Sequence, residues 1–244
     1  MRIFSSWKEK GLILLALASF IALLISAYRL ELWSFLDGTN VGEFLVAKGT
    51  GDLVFQVSGG IVSAYVFYVL IDLVPRARRE ASAFEVLDSL VSAILEGLLE
   101  GSAFQHEKGI LAVDYSLSRK KEGLVTLAEE LKNFKIGYLK LKSAAQTADT
   151  RYEDFKGVLL LAASISPPHA RVWLELTDKV RLLKEQLEKK PQDFDFSVSL
   201  ESSDAGSEDL SHNLSKLYLH GLYFRVAEFV DLCIEWRNST AGRV

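Results

Sequence analysis

The chain is expected to be all-α, with a two-helix transmembrane hairpin followed by a cytosolic helical bundle of long amphipathic helices. Three observations predict this. Two uncharged runs near the N-terminus are each long enough to cross a bilayer. Beyond them, apolar residues recur at three-four spacing almost to the C-terminus. Only one short stretch alternates with strand periodicity, and it has no second candidate to pair with.

The first run, Gly11 to Tyr28, holds 18 uncharged residues between Lys10 and Arg29, with Trp7 and Tyr28 placed as interfacial aromatics. Its basic start also suits a cleaved signal peptide. The run is longer than the usual ~7–15 apolar residues, and Ile25-Ser26-Ala27 is a poor cleavage site, so it is read as an anchor. The second run, Leu53 to Ile71, holds 19 uncharged residues, which span about 28 Å as a helix. In hydrocarbon every backbone polar group must be paired internally, so both runs should be helical. The spans are placed at about 11–28 and 53–74, within an anchor covering residues 1–75. Arg76, Arg78 and Arg79 follow the second span, and Arg2, Lys8 and Lys10 precede the first. The intervening loop, 29–52, carries two basic and four acidic residues. Both termini are therefore expected on the cytoplasmic side and the loop outside, with Trp33, Phe35 and Leu36 at headgroup level and a turn at Asp37-Gly38-Thr39-Asn40. Gly49-Thr50-Gly51 lacks the spacing of a phosphate loop and reads as a turn.

Small residues form rows along both spans: Ala18, Ala22 and Ser26 on the first, Gly59 with Ser63 and Gly60 with Ala64 on the second. Such rows let helix backbones approach closely where no hydrophobic force draws them together. They serve either contact within one hairpin or, with Gln56, a self-association face between protomers. Asp72 is the one acid in the second hydrophobic stretch. It lies a turn from the cytosolic end with Arg76 four residues on, so an ion pair at the headgroups is expected.

Residues 76–244 are expected to form a cytosolic α-helical domain. Phe84, Leu87, Val91, Ile94 and Leu98 make one apolar stripe on a helix of about 25 residues, with Glu85, Asp88 and Glu96 between them. A longer pattern runs from Leu124 to Ala162. Thr150 followed by Glu153 has the form of a capping box, which predicts two helices, about 111–146 and 151–165. Ser166 should cap a further helix with Pro167 at its first position and Trp173, Leu176, Val180, Leu183 and Leu187 as its stripe, stopped by Pro191. An acidic loop is expected at 191–209. Its Phe194, Phe196, Val198 and Leu200 alternate as a strand would, and an alternative docks it across Arg119-Lys120-Lys121 and Lys132/Lys135. The last helix, about Glu208 to Arg237, is apolar on several faces and should be central in a bundle or shared with another subunit.

Composition excludes some functions. After Leu73 there are 23 Lys and Arg against 26 Asp and Glu, the reverse of a nucleic-acid binder, and the aromatics of the basic run 119–142 fall on the apolar stripe. The single cysteine, Cys233, has apolar neighbours and reads as a core thiol. His106, His169, His212 and His220 make no ligand spacing, and no nucleotide loop, nucleophile elbow or carboxylate pair stands out. No catalytic residue, metal or cofactor is expected. The partners expected are the lipid bilayer, a cytosolic protein and further copies of the chain, with nucleic acid not bound directly.

This layout, the Gly11–Tyr28 and Leu53–Val74 spans followed by a helical body without catalytic motifs, resembles the two-transmembrane effectors of bacterial anti-phage systems, including those accompanying some retrons. The resemblance implies an inner-membrane protein held silent by cytosolic partners, which damages the membrane when released. The competing expectation is a passive membrane-tethered scaffold that binds partners through its bundle, and a third is a membrane-anchored enzyme whose pocket the linear pattern hides.

Overall fold

The computed structural model describes residues 7–28, 48–102, 104–196, 198 and 210–240. The expected loop features between 29 and 47, Arg2, and residues 199–209 lie outside them. All described secondary structure is helical. The chain divides into two compact units, Met1–Arg79 and Glu80–Val244.

In the first unit, α1 (Trp7–Tyr28) packs on α2 (Lys48–Tyr68). Burial is confined to a narrow seam that includes Ala16, Ser19 and Ser58. At Gly59 an added Cβ would stand 3.7 Å from Leu23 Cδ1, so a small residue is what keeps the helices close there. The second helix does not end at its proline. A π turn, Val69–Leu73, follows α2, and α3 (Val74–Glu100) continues directly from it. Pro75 has no N–H, and in an α-helix its ring would press on the carbonyl of Ile71. The wider turn, in which the Val74 N–H bonds to the Val69 carbonyl, accommodates that carbonyl without breaking the helix.

In the second unit, α3 is buried on every side from Leu90 to Leu98. Gly97 lets it lie directly on a neighbour: an added Cβ would meet Thr147 Oγ1 at 3.1 Å and the Ala144 backbone at 3.3 Å. Three single 3-10 turns follow, Gln105–Glu107, Ile110–Ala112 and Leu117–Arg119, the last two where the 111–146 helix was expected to start. Then come α4 (Lys121–Lys132), α5 (Tyr138–Gly157), α6 (Leu159–Ile165), α7 (Pro167–Glu188) and α8 (Leu210–Thr240). α8 touches α4, α5 and α7, and buries Phe229, Cys233 and Trp236 completely, as a central helix should.

The expected 111–146 helix is interrupted at 133–137. Phe134 takes a left-handed backbone with φ 55°. The Lys135 N–H bonds to the Glu130 carbonyl and the Phe134 N–H to the Leu131 carbonyl, the paired bonds of a Schellman ending. That position usually holds glycine. Here the Phe134 ring packs edge-on against His220 and Tyr223, and the Tyr223 hydroxyl reaches the Phe134 carbonyl at 2.8 Å and also the Ile136 carbonyl. Tertiary contacts hold a conformation that costs roughly 1–2 kcal/mol in an isolated chain. Thr150 does not cap a helix. It lies inside α5, its hydroxyl donating back to the Gln146 carbonyl at 3.0 Å. Ser166 does occupy the residue before α7, in extended backbone with Pro167 next. Its hydroxyl lies 2.6 Å from His169 Nδ1 and makes no cap bond to the backbone. After α7, the described residues of 191–198 form no strand. Phe194 is buried, stacked on Tyr138 with ring centres 4.6 Å apart.

Candidate functional site

Among the described residues, one helix is long and apolar enough to cross a membrane, the continuous segment Asp52–Glu100, whose most apolar window is only 11% buried. The helical stretch before Leu73 turns large apolar side chains outward: Leu53, Phe55, Val66, Phe67, Leu70 and Ile71 are all 45% exposed or more. α1 does the same with Leu14, Leu17 and Ile21. Large exposed apolar patches are rare on soluble monomers and mark protein–protein or membrane contacts.

The small residues singled out in the sequence divide between two faces. Gly59 faces Leu23 across the seam. Gly60, Ser63, Ala64 and Ala18 are exposed, and nothing lies within 4 Å of a Cβ added to Gly60. Ala22 is half-buried, and the side chain of Ser26 lies outside the described residues. Asp72, Arg76, Arg78 and Arg79 are all exposed at the end of the apolar stretch. An exposed ion pair at this spacing gains only a few tenths of a kcal/mol in water.

The helical body holds an arrangement that the sequence did not suggest. Asp88, Ser92 and Glu96 stand four residues apart on one face of α3, and all three are buried. The segment after α3 runs back along this row. Gln105 Nε2 and Lys108 Nζ donate to the two oxygens of Glu96, at 2.8 and 2.5 Å. The Ser118 N–H donates to Ser92 Oγ at 3.1 Å, and Arg119 Nε donates to Asp88 Oδ2 at 2.6 Å. The other Asp88 oxygen accepts from Trp236 Nε1 of α8 at 2.9 Å. Each carboxylate thus has two donors, which makes its burial tolerable. The bond to Glu96 in turn holds the Lys108 ammonium above its ordinary range.

The row opens onto an aromatic layer. Phe84 and Trp236 both meet the buried His169 ring, and Trp173 stacks on Phe155 with its indole N–H donating to the Phe155 carbonyl at 2.9 Å. Elsewhere a cavity of about 400 Å³ is lined by Gly137, Tyr138, Leu139, Lys140 and Phe196. Burial pushes the Tyr218 hydroxyl up, with the neighbouring Tyr138 adding to it, and burial also raises the Cys233 thiol. A buried neutral thiol is a packing group. Among the described residues no cluster of His, Cys, Asp or Glu is disposed to hold a metal ion. The acidic segment, where it is described, turns to α8: the Asp195 carboxylate meets His212 Nδ1 at 3.1 Å and its N–H donates to Ser215 Oγ. Arg119 and Lys120, two of the five basic residues of the alternative docking seat, pair with Asp88 and Asp114, and residues 199–209 of the loop lie outside the described residues.

Comparison with protein-family models, curated proteins and solved structures finds no match.

Proposed function

We propose that this chain is a non-enzymatic two-pass inner-membrane effector. Its cytosolic helical body receives a signal from a protein partner, and its hairpin, α1 with α2, perturbs or permeabilises the bilayer. The observation that carries the reading is the apolar side chains turned outward along α1 and α2, a surface suited to lipid. The arginines after the second span favour a cytoplasmic body and termini. A route for the signal is the backbone itself: α2, the π turn and α3 form one helix from Lys48 to Glu100. The resemblance to anti-phage effectors agrees with this layout, and a role in defence is part of the proposal.

Two helices cannot enclose water, so several chains must assemble to open a path. Gly60 offers the test, because its surroundings are empty within one chain. The unmodified protein, overexpressed, should arrest growth and depolarise the membrane, read with a voltage-sensitive dye; Gly60→Leu should leave insertion and the fold of the monomer intact yet abolish both effects. Depolarisation equal to that of the unmodified protein would remove the assembly step from the reading. A tethered scaffold remains the second reading, favoured by Leu160, Leu174, Leu217 and Phe224, all more than half exposed on the body. It expects residues 80–244 to capture a partner without the spans, and that capture to account for all activity.

A further inference from the structure

The segment Phe104–Lys120 lies along α3 with little apolar grip. Val113 is its one fully buried apolar residue; Ile110, packed against the core, and Leu117 are half-buried, whereas Phe104 and Leu111 are 71% and 100% exposed. It contains no α-helix, only the three isolated 3-10 turns. What holds it is polar: the ties to Asp88, Ser92 and Glu96, and two outer bonds, from Arg151 Nη2 to the Lys108 carbonyl and from Arg237 Nε to the Arg119 carbonyl.

Such a segment has an unusual balance of forces. Buried ion pairs return little more than the hydration surrendered to make them. When the segment lifts, water reaches Glu96 and the departing Lys108, and that hydration is regained. Asp88 is not stranded either, since Trp236 still donates to it from α8. The apolar area lost is that of Val113 with parts of Ile110 and Leu117, small beside the core of the bundle. Opening here therefore costs far less than unfolding the bundle, whose helices are joined through fully buried rings such as Trp173, Phe155 and Phe229.

We propose that Phe104–Lys120 is a polar clasp that opens as one unit while α5, α7 and α8 stay folded, baring the Asp88–Ser92–Glu96 row of α3. The bared surface is an acidic strip, with carboxylates about 12 Å apart along the helix at ~1.5 Å per residue. Because α3 continues from α2, the clasp covers the cytosolic end of the helix that also carries the apolar stretch. The inference does not depend on whether the hairpin perturbs the bilayer.

Hydrogen exchange on the full-length protein in lipid nanodiscs tests this. Glu96→Gln removes the pairing with Lys108 and should speed exchange of the amides of residues 105–119 on the order of ten-fold, with residues 172–183 of α7 unchanged. Acceleration shared equally by α7 would make Glu96 a support of the whole bundle and overturn the clasp, as would no acceleration at all. A second variant guards against misfolding. Ser92→Cys with Ser118→Cys joins the segment to α3, the Ser118 N–H standing 3.1 Å from Ser92 Oγ in the unmodified protein. Oxidised, this protein should lose the fast exchange at 105–119 and recover it on reduction. Equal exchange in the two redox states would equally defeat the proposal.

Discussion

Glu228 sits where α7 meets α8, with Lys179 Nζ 2.7 Å from one carboxylate oxygen and Arg225 Nη1 2.7 Å from the other. Burial alone would push its carboxyl up, but the bonds from Lys179 and Arg225 outweigh burial and leave it below the ordinary 4.5. A carboxyl depressed on folding adds stability above its unfolded value, and that stability is lost as the pH falls through the folded one. The contribution should be complete at neutral pH, begin to fade near pH 4.5, and vanish below the depressed value. Glu228→Gln should lower stability at pH 7 by about 1 kcal/mol and narrow the gap to the unmodified protein as the pH drops, measured by urea unfolding across pH 3–7. A gap that is constant with pH would show that Glu228 contributes only packing. Single residues were also where the sequence was hardest to read. Asp88 and Glu96 lie between the apolar residues of the 84–98 stripe and look like a solvent face. What buries them is a segment whose second half was expected to begin the 111–146 helix, and no local pattern announces an arginine 31 residues away.

At the scale of elements, legibility followed how local the cause was. The start of α7 could be read because an extended serine and a proline at the first helical position act within a few residues. Both apolar runs could be read as helices because their composition leaves the backbone no other partner. The break at Phe134 could not, since the apolar alternation passes through it without a miss and the contacts that hold it come from His220 and Tyr223, some 90 residues on. The π turn ahead of Pro75 shows the same limit: the proline was visible, but the means by which the helix continues past it was not. Gly97 is an element-scale feature with a measurable consequence. It lets α3 rest against Ala144 and Thr147 of α5, and a side chain there must push that backbone away. Gly97→Val should lower stability by about 1–3 kcal/mol, read as a drop in Tm, with helix content by circular dichroism unchanged below the transition. A variant as stable as the parent would mean that the two helices separate without cost.

The whole molecule joins an apolar N-terminal unit to a bundle with its own core, and this division was plain from composition. The proposed placement of the body on the cytoplasmic side is tested by a reporter that fluoresces only in the cytoplasm, fused after Val244. Bright cells are expected, and dark cells with the fusion intact would place the body on the opposite side and remove a cytosolic partner from consideration. The order of the sequence also matters to how such a molecule is made. α3 is enclosed on all sides from Leu90 to Leu98, yet it is the first helix of the body to leave the ribosome. Asp88 meets the Trp236 indole only after 148 further residues have been added, a wait of roughly 7–30 s at ordinary rates of synthesis. The donors of Phe104–Lys120 follow within 31 residues, but the indole that completes Asp88 and the rings that cover the apolar stretch from Leu90 to Leu98 come much later. Whatever shields that stretch until α8 emerges is as much a condition of the finished structure as any contact within it.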